Sequence, residues 1–180
     1  MAPKSTVYAF SIGLSDIDRG VYEELKLSVA LHPSESVEFM LTRVLAYALE
    51  FAEGIAFSPG IGSPDEPAIA IKSLDGTPLA WIDVGSPSGE RLHRAAKASS
   101  RVAVYCHRGA DVTYQQLTQS PIFRGEEVLF FSFADPFIFE LVTALDRRNE
   151  MSLSRSEQTL YISLNGKEFS TPLHERRLLG

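Results

Sequence analysis

A few carboxylates in this chain have the types and spacing for metal-assisted chemistry. Asp65 and Glu66 stand just before one apolar run, and Asp83 stands near the end of the next, in Trp81-Ile82-Asp83-Val84-Gly85. Asp75-Gly76 lies between the runs and is a hairpin signal. A hairpin folded there sets the start of its first strand beside the end of its second, so the acids should meet at one end of a sheet. Period-two alternation puts Asp83 on the face opposite Ile82 and Val84. A carboxylate in such a strand costs free energy unless it is paired or bound to a cation. Hard oxygen ligands around an open position suit Mg²⁺. A metal held that way lowers the pKa of bound water and neutralises charge on a phosphate.

Basic groups follow. Arg91, Arg94 and Lys97 recur every three residues, with Arg101 four further on, as a positive stripe along a helix. Each feature also has a plainer reading. The stripe is an ordinary solvated face, and Asp65-Glu66 a loop pair punctuated by Pro67. Glu35 and Glu38 complement a helix dipole, Gln115 is a surface amide, and Asp83 is a structural partner of Arg94 or Arg91. Other chemistries lack their signatures. Gly60-Ile61-Gly62-Ser63 has no Lys-Ser/Thr of a phosphate loop, and no Gly-x-Ser-x-Gly elbow occurs. The four histidines, His32, His93, His107 and His174, are isolated. Cys106, the one cysteine, has no second pair to complete a zinc site; on an apolar strand it reads as core.

The elements that must position these groups follow from periodicity. Strands are expected over Thr6 to Leu14 and Tyr22 to Leu31 as an opening hairpin, then over Ala68 to Leu74 and Pro78 to Val84. Further strands are expected at Arg101 to Cys106, Glu127 to Phe133, Thr159 to Leu164 and Lys167 to Ser170. The last two are joined by Asn165-Gly166, a type I′ signature. The firmest helix starts at Pro33-Ser34, with Ser34 as N-cap, carries Val37, Leu41, Val44, Leu45, Ala48 and Ala52 on one face, and stops at Gly54. Others are expected over Pro87 to Ser99, whose Leu92, Ala95, Ala96 and Ser99 form a narrow face of small residues, and over Phe137 to Leu145. The pattern predicts an α/β protein with a mixed sheet flanked by helices.

The 180 residues suit one domain, and 44% hydrophobic against 22% charged residues supply a packed core. No apolar run reaches the roughly 18 residues of a membrane span. The first residues show no stretch of signal-peptide length, and one cysteine permits no intrachain disulfide, so a cytoplasmic location is expected. The formal charge of −6 argues against a general coating of nucleic acid, which takes a basic surface. A nucleic-acid role then needs a local basic patch or a bridging metal.

Several stretches together resemble the YaeQ family of small bacterial proteins. They are His32-Pro33-Ser34-Glu35 with Glu38 and Arg43, Asp65-Glu66-Pro67, Trp81-Ile82-Asp83-Val84-Gly85, Pro87, Glu90-Arg91-Leu92 with the basic residues behind it, and Tyr114-Gln115-Gln116. They run in family order through most of the chain. That family resembles a compact variant of the PD-(D/E)XK nuclease fold, in which one acid begins a strand, an acid-x-Lys triplet ends the next, and a helix adds a Glu. The resemblance implies Asp65 (or Glu66) as first acid, Asp83 as second, and Glu38 or Glu35 as the helical acid, together holding Mg²⁺ or Mn²⁺. Gln115 would sit near the site. The triplet departs from the pattern, with Gly85 at the Lys position; the matching cation in the following helix is Arg94, with Lys97 one turn on. Arginine stays protonated and is a poor base. Two functions are therefore expected: a Mg²⁺-dependent phosphodiesterase acting on DNA or RNA through the basic helix, or a non-catalytic module binding nucleic acid or protein on the same fold.

Overall fold

A computed structural model describes residues 5–59 and 65–178. The stretch Gly60-Ile61-Gly62-Ser63, noted above for what it lacks, lies outside them. The described residues fall into two compact units: residues 5–49 with 133–173, and residues 50–59 and 65–132 with 174–178.

The first unit holds a mixed sheet. Strand β1 (Thr6–Asp16) pairs antiparallel with β2 (Val21–Leu31) and parallel with β8 (Arg148–Ser156). Strand β8 pairs antiparallel with β9 (Thr159–Leu164), and β9 with β10 (Lys167–Arg177), whose residues to Leu173 belong here. Alternate residues turn to one buried face: Phe10, Ile12 and Leu14 from β1, Met151 and Leu153 from β8, Leu160 and Ile162 from β9. Helix α1 (Val37–Leu49) adds Met40, Leu41, Val44 and Leu45, and α4 (Phe137–Val142) adds Phe137, Ile138 and Leu141.

The second unit is also mixed. Strand β3 (Ile55–Phe57) pairs antiparallel with β4 (Ile69–Lys72), and β4 with β5 (Pro78–Val84). Parallel pairs then link β5 to β6 (Arg101–Cys106) and β6 to β7 (Leu129–Phe133), with Phe133 itself assigned to the first unit. Helix α2 (Gly89–Ala98) lays Leu92, Ala95 and Ala96 on Trp81, Val102 and Val104, while α3 (Ala110–Thr118) contributes Leu117 to the same cluster. The narrow face of α2 thus lies on a sheet. Cys106 is buried on β6. Among the described residues no helix is long and apolar enough to cross a membrane.

Several boundaries moved for local reasons. Ser34 does not cap α1; its N–H donates to the His32 ring Nδ1 at 3.1 Å, and Ser36 caps instead, its Oγ accepting from the Phe39 N–H at 3.0 Å. The helix ends at Leu49, five residues before Gly54. Strand β10 runs on to Arg177, past Pro172, which falls opposite Thr159 at the end of the ladder with β9. The strand at Glu127 begins two residues later. The short strand β3 was not expected, nor was β8.

Gly54 has φ of +91°, and a Cβ on it would fall 2.1 Å from the main-chain oxygen of Lys72. Gly54→Ala should therefore lower the urea midpoint of the protein, by the equivalent of at least about 1–3 kcal/mol. An unchanged midpoint would show that β3 is dispensable.

The β4–β5 turn holds Asp75 through the Ser73 hydroxyl, the Thr77 hydroxyl at 2.7 Å and the Thr77 N–H at 3.0 Å. These bonds, Ser73's foremost, favour the ionised carboxylate and hold its pKa at about 2, below 3.8. The depressed value means that the turn's contribution is complete above 3.8 and is lost as pH falls through about 2. In Ser73→Ala the Asp75 titration followed by NMR should move back toward 3.8.

Candidate functional site

The β4–β5 hairpin sets Asp83 beside the main chain of the segment before β4. In the β4–β5 register Ile69 faces Ile82, which leaves Asp83 beside Ala68 at the strand end. The Ala68 N–H donates to Asp83 Oδ1 at 3.4 Å. Asp83 is 2% exposed, so its charge needs compensation. Helix α2 supplies it. Ser88 caps the helix by accepting from the Arg91 N–H, which fixes the first turn so that Arg91 reaches back over β5. Its Nε donates to Asp83 Oδ2 at 2.7 Å and its Nη2 to Oδ1 at 3.0 Å. The same Nη2 donates to the Glu66 main-chain oxygen at 2.6 Å. The guanidinium carbon also lies 5.2 Å from the Trp81 ring centre, two residues back on the same face of β5. One planar fork thus joins β5, α2 and the segment before β4.

The cation on Asp83 is Arg91. Arg94 and Lys97 are exposed and make no hydrogen bond or ion pair among the described residues. Arg101 is taken by Glu50: its Nε and Nη2 donate to the two carboxylate oxygens at 3.0 and 2.9 Å, and the buried Tyr105 hydroxyl donates to the same Oε1 at 2.7 Å. The basic stripe is therefore two exposed cations, Arg94 and Lys97, flanked by two structural forks. Asp65 and Glu66 are exposed, and Glu66 Oε2 accepts from the Ser58 hydroxyl at 2.9 Å. Gln115 is exposed on α3.

Glu35 and Glu38 belong to the other unit. Glu35 accepts from Arg43 Nε at 2.8 Å through Oε1 and from Nη2 at 3.1 Å through Oε2, while Nη2 also donates to the Ala30 oxygen. Glu38 stands in the first turn of α1, partly buried. Among the described residues no three His, Cys, Asp or Glu side chains gather as metal ligands. Gly85, at the position of the motif lysine, has φ of +88°, a region that L side chains rarely adopt. Its N–H donates to the Tyr105 oxygen at 2.9 Å. The chain turns out of β5 there, which is why glycine stands in that place.

Two features escaped the sequence reading: the Arg91–Trp81 stack and the Glu50–Arg101–Tyr105 cluster. Arg91 and Trp81 were both noted, but nothing in a period-two pattern tells how far a guanidinium reaches.

The fold and this acid–guanidinium centre define a mixed α/β protein with a carboxylate held at a strand end. The family model described as YaeQ protein matches residues 1–173, and the chain belongs to the YaeQ family. The uncharacterised YaeQ proteins of Salmonella typhi and Escherichia coli K12 are 32% and 31% identical to it over 118 residues, 64% of this chain and 65% of each relative. The crystal structure of the YaeQ protein from Pseudomonas syringae superposes with a TM-score of 0.84 at 31% identity, covering 95% of both chains. That of Xanthomonas axonopodis pv. citri gives 0.88 at 23% identity, covering 96% of this chain and 98% of the other.

Asp83→Asn should lower stability near the bottom of the roughly 3–5 kcal/mol range for a broken buried pair, because Arg91 keeps one-fifth of its side chain in solvent. Asp83→Asn with Arg91→Gln should cost less than the sum of the two single changes in a urea double-mutant cycle. Strict additivity would show that the fork carries no coupling.

Proposed function

We propose that the chain is a non-catalytic nucleic-acid-binding module built on a nuclease-like fold. The observation that carries this reading is the bidentate Arg91–Asp83 bond. Both oxygens of the carboxylate already receive a guanidinium N–H, so a divalent cation bound to them would lie against a fixed positive charge. Mg²⁺, which demands near-octahedral oxygen donors, fits this donor set poorly. Asp83 then acts as a strut that orients α2. The nucleic-acid side of the reading is supported by Arg94 and Lys97, three residues apart on α2, both exposed and with no acidic partner among the described residues. Two cations make a small patch on a chain of charge −6, so binding should be weak and strongly salt-dependent.

A metal-dependent phosphodiesterase is the second reading. It is favoured by the approach of the Asp65–Glu66 segment to Asp83, seen in the bond from Arg91 to the Glu66 oxygen. Substrate in that case is a phosphodiester of DNA or RNA, with Asp65, Glu66 and Asp83 as the acids.

Fluorescence polarisation with labelled single-stranded DNA and RNA tests the first reading. Arg94→Ala with Lys97→Ala should weaken binding at low salt. It should also reduce the log–log salt slope by about 1.4, two phosphate contacts at about 0.7 each. Unchanged affinity in that variant would sink it. Mn²⁺-dependent cleavage that disappears in Asp83→Ala would establish the phosphodiesterase in its place, and Mn²⁺ should then raise the melting temperature of the parent but not of the variant.

A further inference from the structure

Strand β2 stands at the edge of the first unit's sheet: among the described strands it pairs with β1 alone. The ladder between them runs unbroken from Val21 opposite Asp16 to Leu31 opposite Thr6, with no bulge. The strand contains no proline. Near its far end the Ala30 oxygen accepts from Arg43 Nη2 at 3.1 Å, so the stretch open to a further strand is Val21 to Val29. An open row of N–H and C=O groups is a template for pairing, and sheets ordinarily blunt such an edge with proline, a bulge or a very short strand. Strand β2 has none of these devices and is among the longest strands of the protein.

Charge identifies the strand that fits. Leu25 and Val29 turn to the buried face, while Tyr22, Glu24, Lys26 and Ser28 lie on the exposed one. Glu24 and Lys26 make no ion pair among the described residues. Two copies joined edge to edge, antiparallel about a two-fold axis, form an isologous contact in which the same strand serves both sides. Such a join keeps each face of the sheet continuous, so exposed-face residues meet only exposed-face residues. Setting a strand against its own copy ordinarily brings like charges together. A register centred on Glu24 sets that acid against itself, and one centred on Lys26 does the same to the lysine. The register centred on Leu25 sets Glu24 opposite Lys26 of the second copy, and symmetry makes that pair twice. It also sets Tyr22 opposite Ser28 on the exposed face. On the buried face Val21 meets Val29, Leu25 meets its own copy, and the exposed Glu23 falls beside Leu27.

We propose that β2 is the docking edge for a second copy of this chain, paired antiparallel in the register centred on Leu25. Opposite charges directly across an antiparallel pair are stabilising and like charges are destabilising. A contact made by one strand from each copy is small and belongs to the weak class of interfaces, so dimers should form at high protein concentration and exchange quickly.

Sedimentation velocity on the full-length chain at low salt, from low micromolar to millimolar concentration, should show monomers giving way to dimers. Lys26→Glu and Glu24→Lys each place like charges opposite one another at both symmetric positions, and each should weaken dimerisation roughly tenfold or more. Both side chains are exposed, so neither change threatens folding. Mixed in equal amounts, the two variants should dimerise again, since every Glu of one then faces a Lys of the other. A chain carrying both changes should also regain the parent's affinity. Both single variants remain acidic overall, so net charge does not draw them together. In hydrogen exchange, alternate amides of β2 between Val21 and Val29 should slow as the dimer forms. A chain that stays monomeric at every concentration overturns the assignment. So do single variants that dimerise like the parent, a mixture no better than its components, or a dimer in which these amides gain no protection.

Discussion

The fork from Arg91 to Asp83 is the contact on which the candidate site depends. A carboxylate 2% exposed at the end of a strand would be untenable alone. With Arg91 in place it becomes a fixed acceptor that draws three segments together: β5 by the side chain, α2 by the guanidinium, and the approach to β4 by the Glu66 oxygen and the Ala68 N–H. The Ser88 cap sets the first turn of α2, and the guanidinium carbon lies 5.2 Å from the Trp81 ring centre. Geometry of this kind requires arginine. A lysine ammonium satisfies one oxygen at a time and has no planar face to lay on an indole.

The first unit follows the same rule with different residues. Asp16, fully buried at the end of β1, accepts from Arg19 Nε at 2.6 Å and lies 3.7 Å from Arg155 Nη1. The Gln158 and Glu157 N–H groups bond Asp18, which also pairs with Arg155, and its carboxyl is held below the usual range, chiefly by the Gln158 N–H. Glu35 takes the fork of Arg43. Each of these three acids is thus answered by an arginine.

Gly85 shows how a departure from a motif can be geometric. The lysine of the pattern that the resemblance implies would stand where the chain leaves β5 at φ of +88°. A side chain there would be strained, and the main-chain bond to Tyr105 holds the turn. The position answers to the backbone, and the cation of the centre comes from the helix that follows.

Much of the architecture was legible in the residues themselves. Arg101 to Cys106 and Thr159 to Leu164 are strands at the bounds their apolar, β-branched composition marks, and Asn165 and Gly166 both take positive φ, as their turn requires. The meeting of Asp83 with the segment before β4 also followed from local chemistry, because Asp75-Gly76 sets the hairpin. Strand β8 was hidden because two of its buried positions are Asn149 and Arg155, polar residues whose partners include Ala9 and Asp16, far along the chain. The three residues of β3 are too few to show a period. What only the tertiary structure decided is which of several evenly spaced cations meets which acid. Arg91, Arg94, Lys97 and Arg101 are equivalent in a sequence, but α2 and β6 aim the first at Asp83 and the last at Glu50, and leave the middle two in solvent. A sequence carries periodicity and turn chemistry, whereas the reach of a guanidinium depends on how a helix lies on its sheet.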